Sequence, residues 1–544
     1  MRRLLMFVSV LLAGLLAAIQ PAPARSSGPP YPVYIPLVTL QKIAAPVLKW
    51  AYGGCFSSWC ETGWYASPAV LDINHDGVNE VLSAAYSLVA LNGASGATLW
   101  RSSLASARTW PGVAAADIDL DGQTEVVIAQ GGGKVSAFRP DGVGGLALVW
   151  SRSPASTSDE LRGLLLADLD GNNGPLEVVV TRAAGSAVNT WVLDAAGNTR
   201  AGWPRLPDDS GALGVAWGVY NANAAAADLS GDSKLELIVP SDVHYINAYA
   251  PDGSSLTAST GDYGGKNWGK VGVWEDLTVE KRGWGACDGT RAESYHPNFA
   301  DAPATLADLN GDGQKEVVTV GNMQDCSQGP YLSRYKAPQI FNPDHSRFNV
   351  SGADWRTTPL DTGLPLSEDY NLIETAQSNP VVADLDNDGK KEILFASYDG
   401  RLHAFWLDKS EHGSWPYSVT KPAEGFIRFA SEPLVADLNN DGRAEVIFVS
   451  WTEKGSNHNG KLHILAWDGQ VLYETDLPAA RAAGLDWNGA LAAPTLANID
   501  ADADLELIVQ TVYSGVVAYD LPGSSAARVL WGTGRASYTR AGSK

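Results

Sequence analysis

The sequence predicts an all-β chain folded as a β-propeller of eight four-stranded blades, with seven blades plus a divergent unit as the alternative count. Three observations lead there. A short acidic, glycine-bearing stretch recurs eight times. Each copy is followed by a run rich in Val, Ile and Leu, and most copies by a third apolar run that ends in a turn dipeptide. Four short antiparallel strands per repeat make a blade, and copies that begin 45 to 80 residues apart fit blades of about 40–45 residues carrying insertions. A linear solenoid is the competing arrangement, but it needs capping repeats at its ends and none stands out.

Residues 1–24 read as a signal peptide. Arg2 and Arg3 precede an apolar run from Leu4 to Ile19, and the small-residue stretch Ala22-Pro23-Ala24 follows. The run is shorter than the roughly 20 residues that span a bilayer, so the mature chain is expected outside the cytoplasm, secreted or at the cell surface, with no membrane span. Residues 25–45 read as a linker, 46–535 as the propeller and 536–544 as a C-terminal tail. The apolar stretch Pro46 to Trp50 is a candidate strand for closing the ring.

The eight repeats follow in order. Each has a short strand, often opened by proline as in Pro380-Val381-Val382-Ala383, where a strand tolerates one. The acidic stretch then forms the turn, and the β-branched run after its last glutamate forms a buried second strand, as in Glu125-Val126-Val127-Ile128. Third strands end at turns such as Pro140-Asp141-Gly142, Pro251-Asp252-Gly253 and Trp467-Asp468-Gly469, and fourth strands close on tryptophans such as Trp100, Trp150 and Trp531.

Within the acidic turns, oxygen-bearing side chains fall at positions 1, 3, 5 and 9. Loop 1 offers Asp72, Asn74, Asp76 and Glu80; loop 2, Asp117, Asp119, Asp121 and Glu125; loop 3, Asp168, Asp170, Asn172 and, after one extra residue, Glu177. Loop 4 offers Asp228, Ser230, Asp232 and Glu236; loop 5, Asp308, Asn310, Asp312 and Glu316; loop 6, Asp384, Asp386, Asp388 and Glu392. Loop 7 offers Asp437, Asn439, Asp441 and Glu445; loop 8, Asn498, Asp500, Asp502 and Glu506, with Asp504 as an additional oxygen. Alternating oxygens in a tight turn make a cage for a hard cation, and Ca²⁺, which takes 6–8 oxygens, suits it better than Mg²⁺ with its tight octahedron. Position 12 carries no glutamate in any copy, which excludes an EF-hand. Loops 3, 4 and 8 depart most from the pattern and are expected to be the weakest or most irregular.

The balance of 39 basic against 61 acidic residues gives a formal charge of −22, the wrong sign for nucleic acid. Up to eight structural Ca²⁺ ions would offset most of it. Four cysteines, Cys55, Cys60, Cys287 and Cys326, suit local disulfides in an oxidising compartment, with the pairing left open.

In DINHDGVNE, DLNGDGQKE, DLDNDGKKE and DLNNDGRAE the repeat resembles the FG-GAP/VCBS family, extracellular propellers that include the integrin α-chain heads. The resemblance covers about Pro68 to Trp531 and implies that these loops bind calcium as structural staples. The Phe-Gly and Gly-Ala-Pro signatures of the integrin repeats are largely missing, so an integrin-like ligand site is not implied.

A binding or adhesion module, monomeric and holding a glycan or protein partner through face loops, is the leading functional reading. The long insertion between Asp252 and Pro303 offers Tyr263, Trp268, Trp274, Trp284 and Tyr295 as a stacking surface, or as the packing of the loop itself. An enzyme resembling a calcium-dependent polysaccharide lyase is the rival, with Lys281, Arg282, Arg291, Tyr295 and His296 as candidates in the same insertion. A structural spacer is the third reading. GxSxG, HExxH, P-loop and dinucleotide fingerprints are absent from the sequence.

Overall fold

The strands of each repeat pair in sequence order, so each repeat closes into its own antiparallel sheet before the next begins. The computed structural model describes residues 43–544, apart from 58–59, 62–64, 103–106, 183–186, 209–222, 241–244, 273–295, 299–302, 325–333, 358, 360–362, 364, 368, 370, 375–378 and 482–487. Among the described residues there are eight blades, arranged as an eight-bladed β-propeller with almost no helix. Blade 1 shows the plan. Its strands Ala69–Leu71, Glu80–Ala84, Leu88–Asn92 and Thr98–Arg101 lie side by side in that order.

Burial falls from the axis outward. The first strands are short and small-sided, as in Ala114–Ala116 and Ala225–Ala227, because eight of them converge on the axis. Second strands are buried along their whole length, as in Glu125–Gln130 and Glu392–Ala396, because a neighbouring blade covers each face. Outer strands such as Val471–Asp476 meet solvent. Burying Val, Ile and Leu between blades contributes about 1.5–3 kcal/mol per side chain.

Two devices join blades. The strand Val47–Gly53 pairs antiparallel with Val516–Leu521 and completes the eighth blade, so the two ends of the repeat array share one sheet and the ring has no free edge there. Indole groups staple neighbours: the Nε1–H of Trp50, Trp150, Trp203, Trp355 and Trp415 donates to the carbonyls of Gly93, Ala195, Pro251, Leu407 and Trp467, at 2.7–3.0 Å. Each acceptor sits in the turn after the third strand of the next blade, where the recurring turn dipeptides had been noted.

The last residues take a different course from the one the sequence suggests. Trp531 does not close the outer edge of blade 8. Arg528–Trp531 pairs instead with Leu434–Asp437, the innermost strand of blade 7. From there the chain runs past the inner strands of other blades. The N–H groups of Leu496, Ala115, Leu166, Ala226 and Leu306 donate to the carbonyls of Gly532, Tyr538, Thr539, Ala541 and Gly542, at 2.7–3.0 Å. Residues 536–544, set apart above as a tail, thus fill the centre of the ring. Arg540, 1% exposed, donates to the carbonyls of Ser67, Pro68, Val113 and Gly534 and to the Thr533 hydroxyl. Beside it the buried carboxylate of Glu432 accepts the Trp531 Nε1–H and the Arg535 N–H, and also pairs with Asn379.

Candidate metal loops

All eight acidic turns connect the first and second strands of their blades, and their backbone path follows from two left-handed residues. Position 4 has positive φ in His75, Leu120, Gly171, Gly231, Gly311, Asn387 and Asn440. Position 6 has it in Gly77, Gly122, Asn173, Ser233, Gly313, Gly389 and Gly442. Gly stands at position 6 in five loops, and Gly or Asn at position 4 in five. Loop 8 has Ala501 and Ala503 there, with negative φ at both, which accounts for its irregular turn.

The first aspartate caps the bend. In six loops the N–H of position 6 donates to its Oδ2, at 2.9–3.0 Å from Gly77, Gly122, Ser233, Gly313, Gly389 and Gly442. The final glutamate is invariant in role. In every loop its Oε2 accepts the N–H of position 2, from Ile73, Ile118, Leu169, Leu229, Leu309, Leu385, Leu438 and Ile499, at 2.7–3.1 Å. These glutamates are all less than 9% exposed, although they stand at the start of the second strand next to other carboxylates. Burial pushes all of them above the ordinary glutamate range, to about 7 in Glu316, about 8 in Glu445 and about 9 in Glu392, with the neighbouring aspartates adding to the shift.

The loops also touch one another. The N–H of the residue before the glutamate donates to the position-2 carbonyl of the preceding blade, from Leu176 to Ile118, Leu235 to Leu169, Lys391 to Leu309 and Ala444 to Leu385, at 2.9–3.2 Å. Between blades 1 and 8 the side chain of Asn79 reaches the Asn498 carbonyl at 2.8 Å.

A cation fits loop 6. One oxygen each from Asp384, Asp386 and Glu392 lie within 4.8 Å of one another, and Glu392 Oε1 is buried without a hydrogen-bond partner. A buried ionised carboxylate oxygen in that condition is costly unless a cation or a proton meets it. Asp386 accepts the Trp406 Nε1–H on Oδ2 at 3.1 Å and the Asp388 N–H on Oδ1 at 3.2 Å, and among the described residues no basic side chain pairs with it. In loops 1, 5 and 7 the position-3 amide turns its Nδ2 toward the position-5 aspartate, and in loop 4 Ser230 bonds to Glu236. Asp504, offered above as an extra oxygen, faces the 523–525 turn instead and accepts the N–H groups of Gly523 and Ser525.

Residues 384–448 match the FG-GAP-like repeat family. The chain carries an FG-GAP-like repeat. That match spans the sixth loop, the rest of blade 6, the seventh loop and the start of the strand after it, and the same plan repeats around the whole FG-GAP-type propeller. No curated protein matches the chain. Among solved structures it is similar to the biofilm matrix protein Bap1 of V. cholerae, at 15% identity over 88% of this chain and 92% of that one, TM-score 0.39. It is also similar to the rhamnogalacturonan lyase YesW, at 14% identity over 84% and 71%, TM-score 0.44. At such scores these likenesses carry no argument, and the fold stands on strand pairing.

The insertion of this FG-GAP-type propeller gives up two of its aromatics to the core. Tyr263 and Trp268 are 4% and 0% exposed, and Trp268 packs on His345 and Phe341 with ring centroids 4.4 and 6.4 Å apart. They form no stacking surface, because the short helix Thr260–Tyr263 and the 3-10 turn Trp268–Lys270 bury them in the core shared with the next blade. Trp274, Trp284, Tyr295, Lys281, Arg282 and Arg291 lie outside the described residues, as do Cys287, Cys326 and the side chain of His296. Cys55 and Cys60 form a disulfide. Among the described residues no helix is long and apolar enough to cross a membrane.

Proposed function

We propose that this chain is an exported, calcium-stabilised propeller that serves as a binding or adhesion module for a glycan or protein partner. The observation that carries the calcium reading is the partnerless, buried Glu392 Oε1 beside Asp384 and Asp386. Ca²⁺ supplies the charge that allows such carboxylates to stay ionised together. Asp384, Asp386, Asp388 and Glu392 would hold it in loop 6, with the corresponding residues of other loops in their own blades. The repetition of the loop at blade junctions supports a structural role for the ions, since each loop bonds to its neighbour.

Binding at the faces is supported by the filling of the ring's centre by 532–544, which leaves loops and insertions as the surface open to a partner. Export is supported by the leader-like residues 1–24 and by the Cys55–Cys60 disulfide. The test is a glycan array probed with the mature chain in calcium and in chelator. Hits lost on chelation support the reading and supply substrates for a lyase assay. No hits in either buffer would remove the glycan and leave a protein partner to be sought.

A further inference from the structure

Converging carboxylates can be balanced by an ion from solution or by a cation of the chain itself, and the eight loops divide on this point. In blade 2, Arg139 lies on the third strand, Lys134–Pro140, opposite the start of the second. Its guanidinium meets Asp119 at 3.1 Å, Asp121 at 2.9 Å and Glu125 Oε1 at 2.8 Å. In blade 3, Arg200 meets Asp170 at 3.0 Å and Glu177 Oε1 at 2.8 Å. In blade 8, Lys49 comes from the ring-closing strand to Asp500 and to Glu506 Oε1, the latter at 3.1 Å.

The basic group therefore takes, in all three loops, the same glutamate oxygen that is left without a partner in loop 6. The convergence of Asp117, Asp119 and Glu125, and that of Asp500, Asp502 and Glu506, is as tight as in loop 6, but a protein cation already sits within it. A calcium ion at about 2.3–2.6 Å from those oxygens would occupy the space of the nitrogens. Displacing a guanidinium that is held by the fold also forfeits charge-assisted bonds that cost no association entropy.

We propose that Arg139, Arg200 and Lys49 stand in for the metal in loops 2, 3 and 8, so that this propeller takes calcium in no more than five loops, with loop 6 foremost. The proposal rests on the calcium reading above and refines it. It divides the ring: blades 8, 2 and 3 carry internal counter-ions, whereas blade 6, where Glu392 Oε1 has no partner, depends on an external ion.

Native mass spectrometry of the mature chain at saturating calcium counts the ions, and hydrogen exchange with and without chelator locates them. One to five ions are expected, with chelation accelerating exchange in Glu392–Ala396 and leaving Glu125–Gln130 unchanged. Arg139→Ser should gain one ion. Six to eight ions in the wild-type chain, or equal acceleration in both strands, overturns the proposal while the calcium reading stands. No ions overturns both. Should Arg139→Ser fail to fold, the wild-type count and the exchange pattern decide alone.

Discussion

The N–H of Leu385 donates to Glu392 Oε2 at 2.7 Å, while the carbonyl of the same Leu385 accepts the N–H of Ala444 from the next blade at 2.9 Å. One residue thus ties the buried carboxylate of loop 6 to the junction with blade 7.

Glu392→Gln keeps an acceptor for Leu385 and removes the charge. In chelator at pH 8 the variant should be at least as stable as the wild type, since a buried carboxylate with a raised pKa is gone. In calcium it should be less stable by about 2–3 kcal/mol, the contribution of one site at a hundredfold excess over its dissociation constant. Denaturant melts in the two buffers check this, and equal losses in both would refute a metal role for Glu392.

Without metal, stability should fall as pH rises. Burial raises Glu316, Glu445 and Glu392 to about 7, 8 and 9, above the ordinary value of about 4.3 in the unfolded chain. A raised folded pKa means that the native state holds the proton more tightly. The resulting stabilisation is complete below the unfolded value and is lost as pH rises through each folded value. Melting temperatures in chelator should therefore decline between pH 5 and 9, and calcium should restore most of the loss at the alkaline end. A flat profile in chelator would contradict the burial of these groups.

His403 should hold its proton to a higher pH than an ordinary histidine. It is buried, and although burial alone lowers its pKa, Asp399 and Glu411, each 3.0 Å from a ring nitrogen, raise it overall. Its stabilising contribution is full below about 6.5 and disappears as pH rises through the higher folded value. His403→Gln should therefore cost more at pH 6 than at pH 9. A nitrogen-detected NMR titration of the histidines reads the protonation directly, and a midpoint below the ordinary histidine value of about 6.5 would refute the assignment.

Arg540→Met should be strongly destabilising. It leaves the carbonyls of Pro68, Gly534 and Val113 without their buried donor, at about 1–3 kcal/mol for each group left unmet. A loss of at least about 3 kcal/mol in urea melts is expected. A change below about 1 kcal/mol would mean that the centre of the ring is not held by this side chain.

Much of this was open to reading because each blade repeats the same local problem. A turn between two buried strands needs left-handed residues and acceptors for inward N–H groups, so Asp, Gly and Glu recur at fixed positions, and β-branched runs mark the second strands. The glutamate at position 9 was legible as a ligand candidate. Its other duty, accepting the N–H of position 2, was hidden because a backbone donor leaves no residue signature.

The sequence by itself determined the propeller, the eight acidic turns, the ring-closing strand near Trp50 and the irregularity of loop 8, since all of these arise from constraints within one or two strands. Tertiary structure decided which loops receive a cation of the chain's own. Lys49 reaches Glu506 only because the ring closes, and Arg200 reaches Glu177 only through the fold of its blade. It also decided that Trp268 is core and that 532–544 fill the centre. Contacts between segments far apart in the chain follow no repeat, so periodicity cannot announce them, and packing around a closed ring alone brings them together.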